Sequence, residues 1–329
     1  MSTLEALRIA SIAQIHGLIG RPPPAHPLLS VIAASWQEPL RITVPIVGRA
    51  IESGLYVLSL KRGDECHAEF GRQVHDGQAG IIVFASPGQT ITPLGGQGEL
   101  THEGEGWTVV FDPDLLRDGP LAAAMHQYRF FGYATREALH LTDVEQEAFT
   151  GLVRQIELES SVPPDSFAPV VLTAQLQLLL TYCQRAYTRQ FEVRAKAGGV
   201  VAERLDRHLD EHLASAAQPG RGLPTVRSCA RALGYSPDYL SDLLRAETGT
   251  SARAHIHRAV IEAAKARLLA SDASTSEVAY ALGFEHPQHF SRLFREKTGK
   301  SPGEWRRAAG TPGAVNGASC TRKGGRGQR

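Results

Sequence analysis

ARALGYSPDYLSDLLRAETGTS, at Ala230–Ser251, and AYALGFEHPQHFSRLFREKTGKS, at Ala279–Ser301, are two copies of one pattern. Gly234 of the first copy corresponds to Gly283 of the second, 49 residues later, and after one inserted residue the offset is 50. Such an internal repeat indicates two structural units of the same kind. Each copy reads as a short helix, a glycine turn and a second helix. That is the helix-turn-helix layout, in which the second helix enters the DNA major groove.

Local signals set the ends of each second helix. Ser236-Pro237 is a strong helix start, and Gly249 ends that helix. In the second copy His286-Pro287 begins a helix that Gly299 ends. The two units are thus placed at about 225–249 and 276–299, with a joining helix at 252–270. A rigid helix of that length, about 27 Å, would set two reading helices in successive major grooves.

Exposed positions at the start of each second helix are the ones able to reach base edges. Arginine bonds guanine bidentately, so Arg292 is the main base-reading candidate. Asp238 and Asp242 either accept from cytosine or only stabilise the first turn of their helix. The base-contact candidates are Asp238, Ser241, Asp242, Arg245, His286, Gln288, His289 and Arg292. The phosphate-contact candidates are Arg295, Lys297, Lys300, Arg306 and Arg307.

Charge is distributed unevenly along the chain. Residues 221–329 hold 18 Lys and Arg against 9 Asp and Glu, a net charge of +9, whereas the whole chain is +1, so residues 1–220 carry −8. Charge asymmetry of this kind points to a polyanionic partner for the basic part. A basic face that is merely solvated would look the same by charge alone. The repeat favours double-stranded DNA as the partner.

The stretch at residues 36–111 reads as β-structure. Short apolar runs alternate with Gly and Asp clusters, which is typical of a sandwich or barrel. The run Gly80–Gln89 is nearly all apolar, so we expect its strand to be buried on both faces. The predicted strands are His26–Ile32 (an edge strand), Ile42–Val47, Leu55–Leu60, Ala79–Ser86 and Trp107–Phe111.

Helical patterns surround this β region. The predicted helices are Leu4–Leu18, Leu115–Tyr128, Asp143–Glu159, Ala168–Phe191 and Val201–Ala217. Thr142 and Gln146 supply a capping signal for the third of them. The fourth carries an apolar stripe at helical spacing, which either packs on the flank of the barrel or makes a dimer contact.

The β region contains histidines that can be compared with the ligands of a cupin metal site. Cupin enzymes hold a metal with an H-x-H pair, a Glu soon after and a later His. Here His67 has Glu69 two residues on, with His75 and His102 further along, and the H-x-H pair is missing. We interpret these histidines as surface or loop residues and predict neither a metal nor a cofactor. A small-molecule pocket in the barrel mouth does not depend on a metal.

Other classes of protein are disfavoured by simple counts. No apolar run reaches the ~18 residues that a membrane helix needs. The N-terminus lacks the order of a signal peptide. The four cysteines lie far apart and form no C-x-x-C pair, which predicts neither a disulfide framework nor a zinc site. We predict a cytoplasmic protein without membrane contact.

These observations predict an α+β chain with two domains. The first is a cupin-like β-barrel with flanking helices, and the second is an all-α double helix-turn-helix. The predicted segments are an N-terminal helix and arm (1–35), a sensory or dimerisation domain (36–200), a linker helix and hinge (201–222), the DNA-binding domain (223–307) and a disordered basic tail (308–329).

The second copy resembles the signature of the AraC/XylS family of transcription regulators. The residues concerned are Gly283-Phe284, Phe290-Ser291-Arg292-Leu293-Phe294-Arg295 and Gly299-Lys300-Ser301-Pro302-Gly303-Glu304-Trp305-Arg306. Arg295 stands where Lys is commoner, Trp305 where Tyr is, and Val260 in the joining helix where Arg is frequent. The N-terminal part, through Gly80–Gln89, looks like the cupin-type sensory half of these regulators.

The resemblance implies a sequence-specific regulator whose basic domain binds promoter DNA and contacts RNA polymerase. It implies an N-terminal domain that binds an effector or forms a homodimer, and no enzymatic activity. Two alternatives stay open: a cupin-type metalloenzyme fused to a DNA-binding module, and a nucleoid protein that binds DNA without sequence preference.

Overall fold

The computed structural model describes residues 7–34, 40–41, 51–61, 80–91, 101–102, 106–117, 119–134, 137–196, 200–214 and 222–309. Contacts divide the chain into two compact units. Unit 1 comprises Met1–Glu203 and Ala230–Ala252, and unit 2 comprises Arg204–Cys229 and Arg253–Arg329. Unit 1 therefore takes in the second helix of the first repeat copy. The domain boundaries drawn from the sequence stay a prediction.

Unit 1 contains all the described strands. In chain order they are β1 Leu7–Ile9, β2 Leu29–Ala34, β3 Leu40–Arg41, β4 Ile51–Ser53, β5 Tyr56–Lys61, β6 Ile81–Ala85, β7 Thr90–Ile91, β8 Thr101–His102, β9 Gly106–Phe111 and β10 Leu139–His140. The main sheet is antiparallel with the order β10-β6-β5-β9-β2. Strands β1, β4 and β7 form a second sheet, and β3 pairs with β8.

The fold is mixed helix and strand, but the described strands do not form the predicted closed cupin-like barrel. They make three separate sheets. The predicted strand at Ile42–Val47 lies outside the described residues. The predicted edge strand is confirmed, because β2 pairs with β9 alone among the described strands. The buried strand is also confirmed, since four of the five side chains of β6 are buried.

Unit 1 also contains the helices α1 Ile12–Leu18, α2 Pro120–Ala124, α3 Asp143–Ser160 and α4 Ala168–Lys196, besides the second helix of the first repeat copy. Helix α3 packs against β2, and α4 packs against β10 of the main sheet. Thr142 caps α3 as predicted, but its capping-box partner is Glu145 rather than Gln146. The apolar stripe of α4, from Leu172 to Phe191, is buried inside the unit. This outcome supports the intrachain packing of that stripe.

Two predicted helices are wrong. Leu4–Leu18 does not form one helix, because Leu7–Ile9 pairs with β4 as strand β1 and the helix starts only at Ile12, where Ser11 caps it. Leu115–Tyr128 is broken into a 3-10 turn, the five-residue α2 and another 3-10 turn. Pro120 causes this break, since its ring can begin a helix but cannot continue one.

The remaining described elements are helices. The helices are α5 Val200–Ala214, α6 Val226–Leu233, α7 Pro237–Thr248, α8 Ala252–Ala270, α9 Thr275–Ala281, α10 Pro287–Thr298 and α11 Pro302–Ala309. The predicted disordered tail lies outside the described residues from 310 onward. Within the described part of the chain, no helix combines the length and the apolar character needed to cross a membrane.

Candidate nucleic-acid interface

Helix α10 has the ends that its sequence predicts. Pro287 stands at its first turn after the N-cap His286, and Gly299 closes it in the left-handed conformation with φ 74°. Only glycine adopts that conformation without a steric penalty. Phe290 and Phe294 are fully buried, with their ring centroids 5.7 Å apart. The apolar side of α10 therefore fixes the helix in unit 2.

The opposite side of α10 is open. The base-contact candidates His286, Gln288, His289 and Arg292 are all exposed. Gln288 and Arg292 are one helical turn apart, so they share a face. This spacing places an amide and a guanidinium side by side on the exposed face of the helix, opposite the buried rings of Phe290 and Phe294. This face has the groups that read adenine and guanine edges.

The phosphate-contact candidates differ in their surroundings. Arg295 and Lys300 are exposed, and Lys297 is exposed while its ammonium group lies 2.8 Å from the carboxylate of Glu296. Arg306 is engaged inside unit 2, because its guanidinium donates to the backbone carbonyls of Leu268 and Ala273 at 2.9 and 2.5 Å.

Arg307, the remaining phosphate candidate, is exposed at the end of the described helix α11. The roles of all these basic residues stay predictions.

Helix α7 is built in the same way as α10. Ser236 caps it through its hydroxyl, Pro237 stands in the first turn, and Gly249 closes it with φ 73°. Leu240, Leu243 and Leu244 are buried. Tyr239 is also buried, at 1% exposure. The two helices thus share their ends and their apolar sides, and they differ on the remaining side.

The reading face of α7, by which we mean the base-contact candidates Asp238, Ser241, Asp242 and Arg245, is partly covered: Ser241 and Asp242 are shielded, while the side chains of Asp238 and Arg245 are 48% and 49% exposed. Arg129 donates from Nη2 to Oδ1 of Asp238 at 2.7 Å and from Nη1 to Oδ1 of Asp242 at 2.6 Å. Arg245 shares the same Asp242 oxygen at 2.7 Å. Ser241 is only 8% exposed. Neither carboxylate is therefore a simple helix-capping group.

Two further residues of unit 1 hold the start of α7. The hydroxyl of Tyr133 donates to Oδ2 of Asp242 at 2.7 Å. Glu137, which is 4% exposed, accepts from the backbone N–H of Ser236 at 2.6 Å and from its hydroxyl. The backbone N–H of Ala134 also donates to Glu137, at 2.7 Å. Its two carboxylate oxygens are thus satisfied by three donors.

Aromatic rings continue this contact into the interior of unit 1. The ring of Tyr239 lies edge-on to those of Tyr133 and Phe191, with centroids 5.1 Å away in each case. Tyr133 also packs edge-on against Tyr187 at 5.1 Å. Arg194 donates to the hydroxyl of Tyr239. Such edge-to-face pairs add to the burial of the rings themselves.

Burial changes the acidity of these phenols. It raises the pKa of Tyr133, and the carboxylate of Asp242 raises that pKa further. Burial also raises the pKa of Tyr239 to about 12. Tyr133 therefore keeps its proton and remains a donor to Asp242 at any ordinary pH.

The sequence did not single out Arg129, Tyr133 and Glu137. A signal was present, because aromatic residues are dense between Tyr128 and Tyr133, where a helix was expected to end. Their partners on α7 lie about a hundred residues later in the chain, and nothing local connects them.

The residues weighed as metal ligands, His67, Glu69 and His75, lie outside the described residues. The backbone of His102 lies in strand β8, but its side chain is not described. Among the side chains that the structure does describe, no three of His, Cys, Asp and Glu come together as a metal site.

Comparison with known proteins identifies the basic segment. A family profile described as a helix-turn-helix domain matches residues 229–308. The chain is 33% identical over 129 residues to the uncharacterized HTH-type transcriptional regulator YijO of Escherichia coli strain K12. It is 42% identical over 83 residues to the transcriptional activator NphR of Rhodococcus sp. Residues 229–308 are an AraC-type helix-turn-helix domain.

The matches to relatives are confined to part of each chain. The alignment with YijO covers 39% of this chain and 43% of that protein, and the alignment with NphR covers 25% and 24%. The chain thus spans less than half the length of these curated relatives. Both relatives are named as transcription regulators, which lends no support to the enzyme alternative.

A solved structure is also similar to part of this chain. The C-terminal domain of AraT, a response regulator from Geobacillus stearothermophilus, is 27% identical with a TM-score of 0.29. It covers 33% of this chain and 84% of that chain. Within the AraC-type domain, α7 and α10 are the two second helices.

Proposed function

We propose that this chain is a sequence-specific DNA-binding transcriptional regulator. The observation that carries the proposal is the exposed face of α10 in an AraC-type domain, where Gln288 and Arg292 lie one turn apart and face away from buried Phe290 and Phe294. His286 and His289 belong to the same face. A helix with exposed hydrogen-bonding side chains at its N-terminal end suits the major groove.

Electrostatics supports the same partner. Residues 221–329 carry a net charge of +9. Arg295, Lys297 and Lys300 are exposed at the C-terminal end of α10 and just beyond it. Lys and Arg that contact phosphate release counterions, which supplies most of the affinity for DNA of any sequence. We propose phosphate contact for these three residues and for Arg307.

Residues 36–200 take the sensory role in this proposal. An antiparallel main sheet in which β6 lies buried, with α3 and α4 packed on it, supports a cupin-like domain that binds a small effector. By analogy with regulators that the AraC-type domain resembles, the chain contacts RNA polymerase at the promoter. The effector and the polymerase contact rest on that analogy.

A homodimer is the second part of the sensory proposal. The side of α4 that faces away from its buried stripe exposes Val170 and Leu178, and Phe167 just before the helix is 70% exposed. Large exposed apolar groups in one row mark a protein contact. We propose a second copy of this chain as the occupant. Sedimentation equilibrium should show a dimer that Val170→Glu weakens and the exposed control Ala123→Glu does not, and an unchanged dimer in Val170→Glu would contradict it.

Selection from random-sequence DNA tests the regulatory function. The purified full chain should enrich one defined motif and bind it about a thousandfold more tightly than random DNA at physiological salt. Binding of all DNA sequences with equal affinity would contradict sequence-specific regulation and favour a nucleoid protein.

A further inference from the structure

The two reading helices differ at equivalent positions. With the 50-residue offset of the repeat, Asp238 corresponds to Gln288 and Asp242 corresponds to Arg292. The second copy thus has a neutral and a positive group where the first copy has two negative groups. Both carboxylates of the first copy are the partners of Arg129.

The match between Arg129 and α7 is steric as well as electrostatic. Gly132 follows Arg129 by three residues and lies directly against Asp238. A Cβ atom at position 132 would be 2.7 Å from Oδ2 of Asp238, closer than Cβ atoms approach in proteins. The glycine lets the backbone approach the acidic side chain. We call Arg129, Gly132, Tyr133 and Glu137 the docking segment.

The two carboxylates and Ser241 of the α7 reading face favour the docking segment over DNA. Duplex DNA carries one negative charge per ~1.7 Å of its axis, so carboxylates at a reading position meet repulsion. The guanidinium of Arg129 instead gives both carboxylates a charged partner. Ser241, between them in the sequence, is nearly buried. Tyr239 is fixed among the rings of unit 1.

We propose that α7 is a docking helix: its base-reading positions bind the docking segment of the same chain, they stay bound while the protein holds DNA, and bases are read through α10. This inference rests on the proposed function, since it assigns DNA reading within a DNA-binding protein. The first helix-turn-helix then serves to connect the N-terminal residues to the reading domain. Each chain reads one major-groove segment rather than the two that the repeat alone suggests.

A reversible disulfide tests whether α7 stays docked. The Cβ at position 132 would lie 4.0 Å from Cβ of Asp238, which is within the usual range for a disulfide. The variant is Gly132→Cys with Asp238→Cys, made in a chain where Cys66 and Cys320 are changed to Ser. Mass spectrometry of tryptic peptides shows whether the bond forms. The two single-cysteine variants are the controls for intermolecular bonds.

DNA binding is then measured by fluorescence anisotropy on a duplex selected by the wild-type chain. The same double-cysteine protein is compared oxidised and after reduction with dithiothreitol. A docking helix predicts that the Kd of the two forms agrees within about threefold, less than 1 kcal/mol of binding free energy. Because both forms carry the same substitutions, only the bond differs between them.

Three other outcomes are decisive. If the oxidised form loses affinity tenfold or more and reduction restores it, α7 must leave the docking segment to bind DNA, and the inference is overturned. If no intramolecular disulfide forms, the docked contact itself is absent, and the inference is again overturned. If the wild-type chain selects no sequence at all, the proposed function fails first.

Discussion

Arg129 joins two carboxylates that lie one turn apart on α7, with its Nη2 atom 2.7 Å from Oδ1 of Asp238 and its Nη1 atom 2.6 Å from Oδ1 of Asp242. The side chain of Asp242 is 17% exposed and that of Arg129 is 32% exposed. The contact between Arg129 and Asp242 is therefore partly shielded from water, and removal of Arg129 takes the cationic partner from Asp238 and leaves Asp242 with Arg245.

Arg129→Ala should lower the free energy of unfolding by about 1–3 kcal/mol, between the values for exposed and for buried ion pairs. The midpoint of urea unfolding, followed by circular dichroism, measures this change. Arg117→Ala is the matched control, because Arg117 pairs with Asp114 at the surface, where its side chain is 69% exposed. The control should cost no more than about 0.5 kcal/mol. Equal effects in both variants would contradict a special role for Arg129.

Glu137→Gln should also destabilise the chain, by about 1–2 kcal/mol, because an amide keeps one acceptor oxygen and turns an N–H₂ group toward a donor. The donors at risk are the backbone N–H groups of Ser236 and Ala134. Glu277→Gln makes the same chemical change in the exposed capping box of α9 and should shift the urea midpoint less. A larger shift in Glu277→Gln would show that Glu137 does not hold α7.

The buried phenols predict a loss of stability at alkaline pH. The pKa of Tyr239 is raised to about 12 from 10.0, so the folded chain holds this proton more strongly than the unfolded chain does. Its contribution is full below pH 10 and is lost as the pH rises toward 12, with a slope of about 1.4 kcal/mol per pH unit.

Urea midpoints measured between pH 9 and 12 test this expectation. Tyr239→Phe should make the decline shallower, since one of the phenols with a raised pKa is gone. An identical slope in the two proteins would place the titration of Tyr239 at its ordinary pKa.

Arg292→Ala should relax the choice of one base pair in the selected motif and cost about 1–3 kcal/mol at that position. The measurement is anisotropy with the selected duplex and with three duplexes that carry the other base pairs there. If the variant weakens binding to selected and random DNA by the same factor, Arg292 does not read a base.

Arg295→Ala should weaken binding to all sequences alike and reduce the slope of log affinity against log salt by about one. Titrations of the selected duplex and of a random duplex at several salt concentrations measure this slope. Arg185→Ala, which removes an exposed arginine of α4, should leave the slope unchanged. A loss confined to the selected duplex would point to base contact by Arg295.

Local chemistry explains what the sequence could predict. Ser236-Pro237 and Gly249 act within their own helix, so the sequence alone predicts where α7 begins and ends. The same holds for α10. The burial of β6 could be predicted because every residue in it is apolar. The strand β1 could not be predicted, because its pairing partner β4 lies more than forty residues away in the sequence.

The docking segment could not be predicted for a related reason. The sequence shows two carboxylates, Asp238 and Asp242, near the start of α7, but a carboxylate there fits base reading and helix stabilisation equally well. Only the folded chain brings Arg129 to them, across more than a hundred residues. Long-range charge pairs have no periodic or local signature in a single sequence.

The role of α7 as a docking helix is tested most directly by the motifs that three proteins select from random DNA: the wild-type chain, Arg292→Ala and the double variant Ser241→Ala with Arg245→Ala. If bases are read through α10, Arg292→Ala changes the motif, while the double variant on α7 selects the wild-type motif at every position. A double variant that loses one of two separate elements of the motif, when Arg292→Ala keeps that element, would show that α7 reads DNA and is not a docking helix.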